Sequence, residues 1–403
     1  MLTSSIKKVP TLQADSKKIF VLLSRFPYPL EKGDKLRAYY QIRELSKKHR
    51  IILCCLSDKK VKQQHIEELE KFCEEVYVIK LSRIKIAWRI IKAFFTSDIP
   101  LQVAYFYSKD AQKQIDDLIE KHLPKFIYAQ LVRTSEYVKK YAIFHKTLDY
   151  MDAFSAGMER RVSKSGGLVR YVLQKEAERL KKYEAHIADY FEEKTVISEQ
   201  DRNKLQAGKP AIIPNGVDFS KFQPSAQGEK KFDIIFSGNM SYPPNVDAAL
   251  FLVRRILPLL KQKYPGIQMV LAGASPAWKV KMLSSENVLV TGWVEDIKVY
   301  FEQSKIMVAP MFMGAGLQNK LLEAMAMKIP CVTTSLANNA LKATPEKEVL
   351  LAETEQQFFE QIDKLLQNET YRDTIAENGY RFAKQHYDWE HTVQKLEKLI
   401  VVD

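Results

Sequence analysis

The chain is poor in several features that mark common protein classes. Its four cysteines, Cys54, Cys55, Cys73 and Cys331, show neither CxxC spacing nor histidines at zinc-type intervals, which speaks against a disulfide framework and a zinc site. No uninterrupted apolar run reaches the roughly 18 residues that span a bilayer. Residues 1–18 contain no apolar stretch of the secretory-signal kind and read as a loose tail, so a cytoplasmic protein is expected. The 14 glycines never fall as GxGxxG or GxxxxGK[ST], which disfavours a dinucleotide site and a P-loop. No DxD-type carboxylate pair stands in a strand-end loop, so neither a metal nor a bound cofactor is expected to be required.

What the chain has is the composition of a folded enzyme. Hydrophobic residues make up 46% and charged residues 28% of 403, enough for two cores of ordinary size. The formal charge of +13 is unevenly placed. Residues 1–200 hold 38 Lys and Arg against 26 Asp and Glu, whereas residues 201–403 hold 24 against 23. A basic first half suits a phosphorylated substrate, an anionic membrane face or nucleic acid. Nucleic acid is disfavoured because no recognisable binding module is present and the second half is nearly neutral.

Short apolar runs alternate with amphipathic segments along the whole chain. Residues 18–24 (KIFVLLS), 50–56 (RIILCCL) and 75–81 read as strands, with helices at 35–48 and 60–72. Further strands are expected at 126–130, 146–150, 195–198 and 212–218, and a long charged helix at 169–188. A second βα series starts at 232–238 (FDIIFSG) and repeats at 267–273, 288–292, 306–310 and 331–334. Its helices are expected at 247–263, 294–304, 319–327, 354–366, 370–387 and 390–401. The pattern predicts α/β architecture with two doubly wound, Rossmann-like domains. The expected boundaries are a tail at 1–18, a first domain at 19–218, a linker at 219–231, a second domain at 232–386, and a final helix at 387–403 that crosses back.

In open parallel sheets, ligands bind at the carboxyl ends of strands, where helix N-termini attract anions. The most informative segment is therefore 310–330, PMFMGAGLQNKLLEAMAMKIP. Gly314 and Gly316 let backbone amides approach a phosphate. Lys320 adds a charge for a pyrophosphate, and Glu323, one turn into the helix, can accept hydrogen bonds from ribose hydroxyls. The spacing fits equally a structural loop with a solvated Lys and Glu.

The run GLQNKLLEAMAMKIPCVTT resembles the donor-binding signature of retaining family-4 glycosyltransferases of the GT-B fold. Agreeing segments follow in order: IPNGVD at 213–218, FSGNMSYPPNVDA at 236–248, VLAG at 270–273, TGWVEDI at 291–297 and YDWE at 387–390. The resemblance covers nearly all of the second half. It implies two domains facing across a cleft, Glu323 on the donor ribose, the backbone of Trp293 and Val294 on the nucleobase, and Gly238 near the diphosphate. The sequence departs from the family pattern twice. Ala315 stands eight residues before Glu323 in place of a second Glu, and Asn239, Met240, Ser241 and Tyr242 replace the frequent Arg and Lys pair. The GxGxQNKxLEAMA form resembles a subgroup of bacterial exopolysaccharide sugar transferases. In that reading Lys320 supplies the missing charge, Asn319 or Gln318 meets the sugar, and Leu317 completes the loop.

The first half offers weaker signals. The segment SRFPYPLEKGDKLRAYY (24–40) places Gly33 where it can approach a diphosphate or acceptor, Asp34 at a helix start as an N-cap or site residue, and Arg37 as a phosphate counter-charge or solvated helix residue. Arg133 and Glu136 are the polar candidates in YAQLVRTSEY, which lacks the His that many relatives carry. Asp149 and Asp152 in LDYMDA can orient an acceptor hydroxyl or take its proton; Asp152 equally suits a helix cap. Residues 83–95 (RIKIAWRIIKAFF) suit either an anionic membrane surface or packing on their own sheet with snorkelling Lys and Arg. The expected activity is sugar transfer from a nucleoside diphosphate sugar to a glycan or lipid-linked acceptor, with retention, in cell-surface polysaccharide synthesis. Epimerase-type and non-catalytic nucleotide-sugar binding are the alternatives.

Overall fold

The computed structural model describes residues 16–163, 165–224, 229–313 and 316–402. The chain divides into two compact units. The first ends at Pro214 and takes in the chain again from Thr392; the second runs Asn215–His391.

Unit one is built on seven parallel strands: β1 (Lys18–Leu23), β2 (Arg50–Ser57), β3 (Glu75–Lys80), β4 (Phe126–Gln130), β5 (His145–Met151), β6 (Glu193–Val196) and β7 (Ala211–Ile212). Their order is β3-β2-β1-β4-β5-β6-β7. The apolar runs of β1, β2 and β4 are buried throughout, because helices cover both faces of a parallel sheet. The chain winds one way from β1 to β3 and the other way from β4 onward, so β1 and β4 are neighbours, with Phe20 opposite Ile127, at the point where winding reverses. Crevices for ligands open at such reversals.

Unit two repeats the plan with six parallel strands: β8 (Phe232–Ser237), β9 (Met269–Ala272), β10 (Val288–Gly292), β11 (Ser304–Ala309), β12 (Cys331–Thr333) and β13 (Leu350–Leu351). The order β10-β9-β8-β11-β12-β13 puts its reversal between β8 and β11. The helix Asn319–Ala326 follows β11 and packs Leu321, Leu322 and Met325 into the core.

Several local expectations are revised. The strand at 212–218 stops at Ile212, since Pro214 has no amide hydrogen for a ladder; Val217 instead bridges to Asp388. A Cβ on Gly216 would lie 2.8 Å from the Trp389 ring, so this glycine serves close packing. The segment 219–231 begins as core of unit two, with Phe219 and Phe222 buried, and the division falls earlier, after Pro214. The helix at 294–304 shortens to Lys298–Glu302, where Asp296 accepts from the Lys298 amide just before the first turn. Helices at Leu101–Phe106, Lys109–His122, Phe154–Val162 and Ser335–Leu341 were not singled out from the sequence. The last helix, Trp389–Ile400, starts in unit two and joins unit one from Thr392, where Leu399 O accepts from His145 at 2.9 Å. Among the described residues, no helix is long and apolar enough to cross a membrane.

Candidate functional site

At the carboxyl end of β8 the chain must turn sharply beside β9. Gly238 (φ +148) and Gly273 (φ +145) meet there, and Gly238 donates its amide to Ala272 O at 3.0 Å. A Cβ on Gly273 would sit 1.9 Å from Gly238 O, and one on Gly238 would sit 2.7 Å from Asn245 Nδ2. Both positions therefore require glycine, for conformation and for space.

Lys320, the second residue of the helix after β11, points its ammonium into this corner. Nζ donates to Asn245 Oδ1 at 2.6 Å, lies 4.5 Å from the Phe236 ring centroid, and is 3.7 Å from Met311 Sδ. Asn245 is fixed in turn by donating Nδ2 to Asn239 O at 2.9 Å. The Asn239 side chain accepts from the amide and hydroxyl of Ser241, which shapes this loop. Residues from the ends of β8 and β11 thus converge at the winding reversal of unit two.

The electrostatics of this corner are unusual. Burial lowers the Lys320 ammonium to about 7, opposed by the Glu323 carboxylate, and among the described residues no carboxylate hydrogen-bonds it. Burial raises Glu323 to about 7, opposed by Lys221 and then Lys320. A buried cation held by an amide and a ring, one turn from a carboxylate, is poised for an anionic ligand that also carries hydroxyls. Ser237 Oγ and Asn319 Oδ1, at the strand end and helix start, are buried with no hydrogen-bond partner among the described residues. Such atoms cost free energy unless something fills the site.

The remaining donor-side residues fall around this corner in sequence or lie apart. Gln318 precedes the helix without capping it and donates to Gly316 O at 2.9 Å, while Leu317 packs against the core. Gly314 and Ala315 lie outside the described residues. Trp293 follows Gly292 (φ +71) at the end of β10 and is exposed, with Val294 partly buried beside it. Asn245, Gly273 and Phe236 were not assigned from the sequence; their signal was the FSGNMSYPPNVDA and VLAG runs, which carried no charged residue at these positions.

In unit one the expectations need correction. Arg37 is fully buried and is neither a phosphate ligand nor a solvated charge. Its Nε and Nη2 donate to Asp149 at 2.6 and 3.2 Å, and Nη1 donates to Ile213 O at 2.8 Å. Asp149 also accepts from Thr195 Oγ1 at 2.8 Å and the Met151 amide at 3.2 Å, and the Tyr128 hydroxyl lies 2.8 Å away. Fully buried and accepting these bonds, Asp149 joins β5 to the helix Gly33–Leu45. Asp34 is not the N-cap of that helix, which is Lys32; it lies in the first turn and pairs with Arg25 at 2.9 Å. Gly33 opens the helix with open space where a Cβ would be.

Asp152 does not cap the helix Phe154–Val162, whose cap position is Ala153. The residue is exposed, yet desolvation of its carboxyl and then the Asp201 carboxylate raise it to about 6. Arg133, after β4, stacks on Phe154 and Phe106 at 4.8 and 5.3 Å and donates to Gln102 Oε1. Burial and then Arg25 lower this guanidinium to about 10, a shift that shows how little anionic compensation surrounds it. Glu136 is taken up by Lys139 and the Tyr183 hydroxyl. Among the described residues, no cluster of three or more metal-ligating side chains occurs.

Two Rossmann-like units, the second carrying a glycine-lined corner with a buried lysine and a nearby carboxylate, define an α/β protein of two doubly wound domains. Residues 231–368 match the family model described as glycosyl transferases group 1. An uncharacterized 44.6 kDa protein in the cps region of Klebsiella pneumoniae is 23% identical over 397 residues, covering 92% of this chain and 96% of its own. Among solved structures, sucrose-phosphate synthase from Thermosynechococcus elongatus aligns with a TM-score of 0.67 at 14% identity, over 95% of this chain and 98% of its own. HepE of Anabaena in complex with UDP-glucose gives 0.65 at 14%, over 95% and 98%. WaaG, a glycosyltransferase involved in lipopolysaccharide biosynthesis, gives 0.63 at 13%, over 96% and 100%. The fold is GT-B, and residues 231–368 of unit two are similar to the group 1 glycosyltransferase model.

Proposed function

We propose that the chain is a retaining, hexosyl-transferring glycosyltransferase of family-4 type, acting in cell-surface polysaccharide synthesis at the cytoplasmic face of the membrane. The observation that carries this reading is Lys320, a buried ammonium with no hydrogen-bonded carboxylate among the described residues, set against Gly238 at the end of β8. In the proposed step the bond between the anomeric carbon and the diphosphate oxygen breaks, and the acceptor hydroxyl oxygen forms the new bond and loses its proton. Lys320 and the amides at the start of Asn319–Ala326 stabilise the charge left on the diphosphate. Glu323 holds the ribose hydroxyls, and the strand end at Trp293 meets the base. The UDP-glucose complex of HepE and the group 1 domain match support the donor class. The cps-region relative and WaaG support a surface glycan as product.

The strand ends of unit one are assigned the glycan or lipid-linked acceptor. Arg133 suits an anionic group on it, and Asp152, raised towards neutrality, suits its hydroxyl proton. No metal or cofactor enters this scheme. The test is nucleoside diphosphate release from UDP-, GDP- and ADP-sugars with lipid-extracted or glycan acceptors, followed by the anomeric proton coupling of the product. Acceptor-dependent release with retained configuration is expected; release that never depends on an acceptor, or an inverted product, contradicts the reading.

A further inference from the structure

Arg133 follows the last residue of β4 by three positions and Arg25 follows that of β1 by two, so both stand where the winding of unit one reverses. The guanidinium of Arg133 is held by groups that carry no charge. Its Nε donates to Gln102 Oε1 at 3.2 Å, Nη2 donates to the same oxygen, and the rings of Phe154 and Phe106 lie 4.8 and 5.3 Å away. Among the described residues no carboxylate pairs with Arg133, and its Nη1 makes no hydrogen bond. The strongest charge acting on it is another cation, Arg25, and the nearby Asp34 is already paired with Arg25 at 2.9 Å. A largely enclosed cation without an anion raises the free energy of the fold.

The neutral clamp is itself fixed from far along the chain. Gln102 is the second residue of the helix Leu101–Phe106, whose first two amides donate to the buried Glu176 carboxylate at 2.8 and 3.1 Å. Glu176 stands on the helix Gly167–Ile187; Phe106 closes the short helix, and Phe154 opens the one after β5. Three helices therefore orient one guanidinium without neutralising it. For a purely structural arginine a carboxylate at position 102 is the stabilising partner, whereas a neutral clamp keeps the full charge available to a ligand that binds and leaves. Gln130, the last residue of β4, is buried, and its Nε2 also has no hydrogen-bond partner among the described residues. A second donor is thus left open at the same strand end.

We propose that Arg133, with Arg25 beside it, forms an oxyanion subsite, so that unit one selects acceptors carrying a phosphate or carboxylate and rejects neutral ones. The inference rests on the assignment of unit one to the acceptor and is independent of the chemistry at Lys320. Nη1 of Arg133 meets one oxygen of the anion through a charge-assisted hydrogen bond. Arg25, whose side chain is 38% exposed, supplies the second positive charge, because a pair open to water such as that with Asp34 exchanges readily for a ligand. The oxyanion has two chemical sources, the diphosphate of a lipid carrier and the carboxylate of an acidic sugar.

The test is isothermal titration of the full chain with pentyl diphosphate, methyl glucuronoside and neutral methyl glucoside, in the wild type, Arg133→Gln, Gln102→Glu and Lys320→Met. The last variant removes the diphosphate contact of unit two, so binding that survives it belongs elsewhere. Expected is binding of at least one anionic probe, kept in Lys320→Met and weakened roughly tenfold or more in Arg133→Gln, with methyl glucoside bound roughly tenfold more weakly or not at all. Binding of pentyl diphosphate identifies a lipid-diphosphate acceptor, and binding of methyl glucuronoside an acidic sugar. Gln102→Glu separates a site arginine from a structural one: its new carboxylate occupies Arg133 and weakens the anionic probe by a similar factor, while the melting temperature of unit one holds or rises. That variant keeps the test intact where Arg133→Gln fails to fold. The proposal is overturned if neither anionic probe binds the Lys320→Met chain, if Arg133→Gln and Gln102→Glu bind the probes as the wild type does, or if methyl glucoside binds as tightly. Absence of sugar-nucleotide binding at Lys320 leaves the subsite standing, so the two readings fail separately.

Discussion

Replacing Lys320 by Met separates a site lysine from a structural one, because the two roles predict opposite changes in stability. Burial lowers the ammonium from 10.5 to about 7. At about 1.4 kcal/mol per unit, keeping that group folded costs on the order of 4 kcal/mol at neutral pH. Met fills a similar volume without a charge, but leaves Asn245 Oδ1 without its 2.6 Å donor, a loss of about 1 to 2 kcal/mol. The net expectation is about 2 kcal/mol of added stability. For a unit the size of Asn215–His391 this is a rise of roughly 4–8 °C in its melting transition, read by calorimetry. The folded pKa lies below the unfolded one, so the unfolded chain holds the extra proton between about pH 7 and 10.5, and the wild type gains stability as pH rises through that window. The advantage of Lys320→Met is therefore greatest at and below pH 7 and fades towards pH 10. Binding of a nucleoside diphosphate sugar weakens by about 30-fold to 1000-fold in the same variant, from the loss of charge-assisted bonds. A variant that melts at or below the wild-type temperature and still binds the sugar nucleotide refutes the reasoning.

Donor affinity measured between pH 6 and 8 should split by variant: in Lys320→Met it rises about tenfold with pH as Glu323 ionises through about 7, and in Glu323→Gln it falls about tenfold as Lys320 loses its proton. Flat profiles in both variants would remove the pair from the site. Gly273→Ala, whose Cβ would meet Gly238 O at 1.9 Å, should lower stability by roughly 3 kcal/mol or more, whereas Gly266→Ala, with open space, changes it little; equal denaturation midpoints contradict this. Arg37→Met should cost about 3–5 kcal/mol by stranding the buried Asp149 carboxylate, seen as an earlier urea transition of unit one, and a change below about 1 kcal/mol would restore Arg37 as a ligand candidate.

The strand sequence was legible wherever β-branched and aliphatic residues cluster without polar interruption, as in IFVLL of β1 and ILCCL of β2, because both faces of a parallel sheet are buried. The helix Leu101–Phe106 was not, since its start is held by Glu176, which accepts from the Leu101 and Gln102 amides across 75 and 74 residues. No local pattern reports such a partner. The Lys320 and Glu323 pair was readable as a motif, but Asn245 became visible only once β8 and β11 were adjacent. Arg37 and Asp149 misled for the same reason: 112 residues separate two charges that each resemble site groups alone and neutralise one another in the fold. The segment 83–95 was ambiguous because the helix Arg83–Thr96 is apolar on both sides, and only its packing tells which side faces outward.

We propose that the corner formed by Gly238, Asn245, Lys320 and Glu323 binds a nucleoside diphosphate sugar. Isothermal titration of the full chain with UDP-, GDP- and ADP-sugars tests it most directly, with Glu323→Ala alongside. Heat of binding is expected for sugars of at least one base and is lost in the variant. Binding of equal strength in both proteins, or no binding of any sugar nucleotide by the wild type, contradicts it.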